Sequence, residues 1–188
     1  MAKPLLAGNW KMHGTAKSAA ELASQLAGYA GEKPEIMVFP SFVSIPAVVN
    51  ALSEHKDIAI GAQNVSHYSE GAYTGEISGK MLTGIGCSHV LVGHSERRTN
   101  NAEGNTLVAE KFAAAQQSGL IPILCVGETL QQRQDSLQLQ VIKAQITAVI
   151  EKVGLQNVCN AIIAYEPVWA VGTGETATPE QAQQVHGF

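Results

Sequence analysis

Six short apolar runs, spaced at intervals of roughly thirty residues, limit what this chain can fold into more than any other feature. They are Leu5–Trp10, Ile36–Pro40, Ile58–Ala62, His89–Gly93, Ile121–Val126 and Ala161–Tyr165. None alternates polar with apolar residues, so each reads as a strand covered on both faces, as in a parallel sheet. A helical pattern follows each run. Ser18 and Glu21 form a capping-box signature ahead of Leu22 and Leu26; Val48, Val49 and Leu52 mark the next helix; Met81, Leu82 and Ile85 a short one. Leu107, Val108, Lys111, Phe112 and Ala115 give another, ending at Gly119. Leu137, Val141, Ile142, Ile146, Val149, Ile150 and Val153 give a long amphipathic helix stopped by Gly154. This alternation fits an α/β fold, whether an open doubly wound sheet or an eight-stranded barrel. Polar residues collect after the strands, where such folds place their chemistry. No Gly-x-Gly-x-x-Gly follows the first run and no Walker motif is present, which lowers the dinucleotide and ATPase readings.

The sixth run is the most informative. Ala161–Tyr165 stops on Glu166, and Pro167 behind it removes an amide donor and biases Glu166 towards an extended backbone. Val-Trp-Ala-Val-Gly-Thr-Gly, residues 168–174, has the apolar, aromatic and glycine composition of a lid. Thr178-Pro179-Glu180-Gln181 then starts a helix, with Thr at the cap and Gln three beyond it. The same stretch also fits a strand-end Glu in a salt bridge ahead of an ordinary long loop.

Composition narrows the classes. The 188 residues suit one domain, spanning 1–188, with a sizeable core. No run approaches a membrane span, and Met1–Leu5 lacks a long apolar signal core. A net charge of -4 gives no reason to expect nucleic acid or an anionic membrane as partner. Cys87, Cys125 and Cys159 have no metal-binding spacing, so no metal is expected and a reduced, cytoplasmic location is the simple inference.

Five blocks together resemble the triosephosphate isomerase family, in order and over the whole chain. They are Gly8-Asn9-Trp10-Lys11-Met12, Gly61-Ala62-Gln63-Asn64-Val65, Gly71–Glu76, Gly93-His94-Ser95-Glu96-Arg97-Arg98 and Ala164–Gly174. The resemblance implies a (β/α)8 TIM barrel, of which six of the eight strand-helix units are present. It implies a cofactor-free isomerase of glycolysis and gluconeogenesis, interconverting dihydroxyacetone phosphate and D-glyceraldehyde 3-phosphate through an enediolate.

That reaction needs a base, an electrophile and a cation. Glu166 fits the base, because a carboxylate desolvated under a closed lid becomes more basic. His94 fits the electrophile: it opens a Ser-Glu-Arg-Arg segment that suits a short helix, whose N-terminus disfavours an imidazolium. Isolated, it is equally a hydrogen-bonded structural histidine. By resemblance, Asn9 and Lys11 contact the substrate, and Glu96 is the acidic group that orients the lysine. In isolation Glu96 reads as an ion pair with Arg97 or Arg98, and Lys11 as a solvated lysine. By resemblance again, the Gly172 amide meets the phosphate when the lid closes; a turn glycine is its plainer reading. The Gln63–Glu76 loop resembles the family's projection into a neighbouring subunit, which implies a homodimer. Its plainer reading is a mobile surface loop, although Tyr68, Tyr73 and Thr74 suit packing against a partner.

The chain ends at Phe188, before the seventh and eighth strands that the resemblance implies. The expectation is an isomerase of which this is a partial copy, the 188 residues alone being inactive. The alternative is an inactive truncated barrel acting as a remnant or interaction protein. A barrel aldolase is disfavoured, since Lys11 alone is placed at a central strand end for Schiff-base chemistry.

Overall fold

The computed structural model describes residues 4–29 and 34–188. Their strands are β1 (Leu5–Asn9), β2 (Glu35–Phe39), β3 (Ile58–Ala62), β4 (His89–Val92), β5 (Ile121–Val126) and β6 (Ile162–Tyr165). Interleaved are α1 (Ala16–Ala27), α2 (Ile45–Ala51), α3 (Gly79–Gly84), α4 (Ser95–Asn100), α5 (Asn105–Gln117), α6 (Leu130–Gln134), α7 (Gln138–Val153), α8 (Leu155–Cys159) and α9 (Pro179–His186). The chain divides into two compact units: Met1–Leu91 with Ala114–Pro122, and Val92–Ala113 with Ile123–Phe188.

In the first unit β1 pairs in parallel with β2 from Leu5↔Glu35 to Asn9↔Phe39, β2 with β3 from Ile36↔Ile58, and β3 with β4 at Gly61↔His89. The amide of Ile121 donates to the Ser88 carbonyl at 2.9 Å, which fixes where β5 begins. Phe39, Ile45, Val48, Val65 and Leu82 are fully buried. Each contributes about 1.5–3 kcal/mol by leaving water.

In the second unit β5 pairs in parallel with β6, from Ile123↔Ile162 to Val126↔Tyr165. Leu124, Val108, Phe112, Ile142 and Val149 form its buried core. The buried face of α7 runs Ile142, Gln145, Val149. A glutamine therefore sits in what the periodicity presents as an apolar stripe.

The helix after β6 starts as its sequence dictates. Thr178 Oγ1 accepts from the Gln181 amide at 3.2 Å, and Gln181 Oε1 accepts from the Thr178 amide at 2.8 Å. The expected box at Ser18 and Glu21 is wrong. The cap of α1 is Thr15, whose hydroxyl accepts from the Ser18 amide while Ser18 Oγ accepts from the Thr15 amide. The Ser18 hydroxyl takes the part expected of Glu21, so the box begins three residues earlier. The buried face of α1 is accordingly Ala19 and Ala23, and Leu22 is exposed.

The expectation that every strand is covered on both faces fails for β1 and β6. Leu6 is 60% exposed and Ile163 40%. Each of these strands has a hydrogen-bonded neighbour on one side only among the described residues, whereas β2 and β3 are flanked on both sides. Two short helices were also not foreseen. The first, α6, carries its own box of Thr129 and Gln132; the second, α8, follows Gly154, which joins it to α7 at φ 83°. Among the described residues no helix is long and apolar enough to cross a membrane, and no cluster of metal-ligating side chains is found.

Candidate active site

Glu166 is placed by the end of the strand ladder. Its amide donates to Val126 O at 2.8 Å, one bond beyond β6, and Pro167 then has no amide to continue. The carboxylate turns to the start of α4. Oε2 accepts from the Ser95 amide at 3.0 Å, and Oε1 accepts from Ser95 Oγ at 3.0 Å and from His94 Nε2 at 2.9 Å. Burial alone pushes the Glu166 carboxyl up. The His94 bond and the Ser95 amide and hydroxyl outweigh it and hold the carboxyl below its ordinary value. The expected gain in basicity is thus absent in this arrangement: three donors stabilise the anion.

His94 is the N-cap of α4, as the Ser-Glu-Arg-Arg pattern suggested, and only 9% exposed. Its Nδ1 accepts from the Glu96 amide at 3.2 Å. With Nδ1 accepting, the ring hydrogen that remains is on Nε2, aimed at Glu166. The sequence analysis gives Ser95 no role of its own, yet both its amide and its hydroxyl hold the carboxylate. The signal was available, since a serine opening a helix beside a candidate site histidine carries two donors.

Glu96 lies in the first turn of α4, its Oε2 3.8 Å from His94 Nδ1. Arg97 Nε bonds the buried Glu103 at 2.6 Å, and Arg98 donates to Gly93 O, Asn105 Oδ1 and Cys125 O.

Asn9 and Lys11 belong to the first unit. Asn9 ends β1 and its Oδ1 accepts from the Lys11 amide at 3.0 Å. Lys11 has φ 52°, a left-handed conformation that a residue with a Cβ keeps only when its surroundings impose it. Gln63 supplies the constraint: its Nε2 donates to Lys11 O at 2.9 Å and to Phe39 O at 2.8 Å. Sequence reasoning put Gln63 at the root of a projecting loop; its side chain instead braces the lysine's backbone.

The rest of that loop is built to stand out. Its neck is closed by the Ser66 amide on Ile77 O at 2.8 Å, with Val65 fully buried. Tyr68 and Tyr73 stack at 3.5 Å and 6°, both partly exposed.

The segment expected to act as a lid begins as a short 3-10 turn over Val168–Ala170. Its anchor is Glu128, a wholly buried carboxylate to which the sequence analysis gives no role. Glu128 Oε1 accepts from Trp169 Nε1 at 2.9 Å, Tyr165 Oη at 3.0 Å and Arg133 Nη1 at 2.9 Å. The Arg133 guanidinium also lies 5.1 Å from the Trp169 ring centre. Gly172 sits in the exposed part of the lid at φ 72°, so its turn role is real.

The family model of triosephosphate isomerase matches residues 4–188. The triosephosphate isomerase of Alcanivorax borkumensis is 50% identical over 97% of this chain and 73% of its own length. That of Nitrosococcus oceani is 50% identical over all of the chain and 76% of its own length, and that of Shewanella halifaxensis 49% over 99% and 74%. The chain thus spans about three quarters of the length of these relatives. Its parallel strands alternating with helices are those of the family's (β/α)8 fold, and the chain belongs to the triosephosphate isomerase family.

Proposed function

We infer that the protein interconverts dihydroxyacetone phosphate and D-glyceraldehyde 3-phosphate through an enediolate, without a cofactor. The family supports the reaction, and one observation supports its assignment to residues: the 2.9 Å contact between His94 Nε2 and Glu166 Oε1, with Nδ1 already accepting. A neutral imidazole with its hydrogen on Nε2 polarises a carbonyl oxygen without surrendering a proton to bulk. Glu166, next to it, takes a proton from the carbon beside that carbonyl. The C–H electron pair becomes the C=C bond of the enediolate, and the carbonyl oxygen takes the charge. The hydroxyl proton of the enediolate passes to the former carbonyl oxygen, with His94 beside both oxygens, and Glu166 returns its proton to the neighbouring carbon as the new C=O forms, which completes the transfer. The bonds holding Glu166 on Ser95 and His94 must break first, so this arrangement is the resting one. Closure of the lid over substrate then removes water and raises the basicity that the three donors now suppress.

In this reading Asn9 and Lys11 bind the anionic substrate, Glu96 orients the lysine, and the Gly172 amide meets the phosphate. Residues 1–188 belong to one barrel domain. The protein is a cytoplasmic homodimer joined through the Gln63–Glu76 loop, a role supported by the closed neck and the stacked tyrosines at the tip. The test is isomerase turnover by a coupled dehydrogenase assay on the wild type, Glu166→Gln and His94→Gln. Loss in both variants with retained binding of a substrate analogue is expected. Full turnover in either one removes that residue from its role.

A further inference from the structure

Gln145 lies outside every stretch that marks the site, on the buried face of α7 between Ile142 and Val149, and is 7% exposed. A glutamine there loses water without gaining apolar contact, so it needs partners. Both are on one residue. Gln145 Oε1 accepts from the Gly127 amide at 2.9 Å, and Gln145 Nε2 donates to the Gly127 carbonyl at 3.0 Å. The side-chain amide thus pairs with a backbone unit as a neighbouring strand would, just where β5 ends.

Gly127 is the contact point of the reactive segment. A Cβ added to it would stand 1.8 Å from Glu166 O and 2.9 Å from Glu166 C, both backbone atoms that have no rotamer to retreat into. The peptide carrying the proposed base therefore rests on the bare face of Gly127. The residue before, Val126, accepts the Glu166 amide; the residue after, Glu128, holds Trp169 and Tyr165. A clamp on Gly127 consequently fixes the base on one side and the root of the lid on the other.

We propose that Gln145 is a positioning residue for isomerisation: its amide locks Gly127, and through Gly127 it sets the height of Glu166 over the reacting carbon. This rests on the assignment of Glu166 as base. A misplacement of the base by about 1 Å costs on the order of 100-fold in turnover, while ground-state contacts made elsewhere are spared.

The test uses Gln145→Met, which keeps length and volume but can neither donate nor accept as an amide does. Val149→Ala, on the same buried face one helical turn away, serves as the control for lost stability. Turnover of Gln145→Met is expected to fall about 10- to 100-fold, with KM within about threefold of wild type, and Val149→Ala to lose stability while keeping kcat. Equal kcat in Gln145→Met and wild type overturns the proposal, as does a kcat loss in Val149→Ala matching that of Gln145→Met. Hydrogen exchange at the Gly127 amide of the wild type needs no variant: slow exchange supports the clamp, and exchange at the rate of an open loop overturns it. Absence of turnover in the wild type itself would leave the exchange result to judge the clamp, independently of the proposed function.

Discussion

Replacing Glu128 by Gln tests whether the lid root is held by charge or merely by shape. The carboxylate is wholly buried, and one oxygen accepts from Trp169, Tyr165 and Arg133 at 2.9–3.0 Å. A bond to a charged acceptor contributes about 1.5–3 kcal/mol and a neutral one about 0.5–1.5 kcal/mol, so the amide loses about 1 kcal/mol per bond, roughly 3 kcal/mol in all. Against this, Oε2 has no hydrogen-bond partner among the described residues, and a neutral group there costs less to desolvate. Arg133, 16% exposed, also loses its counter-charge, so a net loss of about 3–5 kcal/mol is expected, read as a lower urea midpoint at unchanged m. Tyr165 supplies a second readout. Its hydroxyl is pushed up to about 12 by burial, then by its bond to Glu128 and the Glu128 charge, against smaller opposing effects of Arg133 and Trp169. Without the charge, one of the four tyrosines should ionise at lower pH in an absorbance titration. An unchanged midpoint together with an unchanged tyrosine titration would refute the idea that charge at Glu128 holds the lid root.

Glu166→Gln should lower kcat by about 10²–10⁴-fold while a substrate analogue still binds, measured by steady-state kinetics and competitive inhibition. The same variant should flatten the acid limb of stability. A carboxyl held below its ordinary value contributes stability above the unfolded carboxyl range, near pH 4, and loses it as pH falls through the folded value; thermal melts at falling pH would show it. Lys11→Met should weaken inhibition by a dianionic substrate analogue and lower kcat/KM together; an unchanged inhibition constant argues against its role. Thr178→Ala should cost about 1 kcal/mol by opening the box that starts α9, visible as faster amide exchange at Gln181 with the core unaffected.

Much of this was legible in the sequence because strand and helix periods are local. Every apolar run became a strand, and the helix patterns at Val48 and Phe112 became α2 and α5. The Thr178 cap formed as written because its partners are three residues away. What failed to show was set by distance. Gln63 reads as the start of a loop, yet its amide serves carbonyls 24 and 52 positions earlier. Gln145 reads as a polar interruption on an amphipathic helix, yet it completes the end of a strand 18 residues before it. Ser95 is overlooked because its role depends on a carboxylate 71 residues later. Leu22 misleads for the opposite reason: its own helix is correct, but only the packing partner decides which stripe is covered, and the alanines face it.

The two strand-end carboxylates show how environment separates roles that residue type cannot. Glu128 and Glu166 each accept three hydrogen bonds in the structure. On Glu128 all three converge on one oxygen of a side chain with no exposure, and the donors include an indole, a phenol and a guanidinium that pack around it. Leaving would strand Arg133 without its counter-charge in a site only 16% exposed, a cost of several kcal/mol. On Glu166 the bonds are spread over both oxygens, the side chain keeps 20% exposure, and two of the three donors are a hydroxyl that can rotate and an imidazole that can turn its hydrogen to a substrate oxygen. Such donors are exchangeable for substrate and water at little cost. A carboxylate that must move between a stabilised rest and a reactive pose needs this second kind of surroundings, and one that must hold a tryptophan still needs the first.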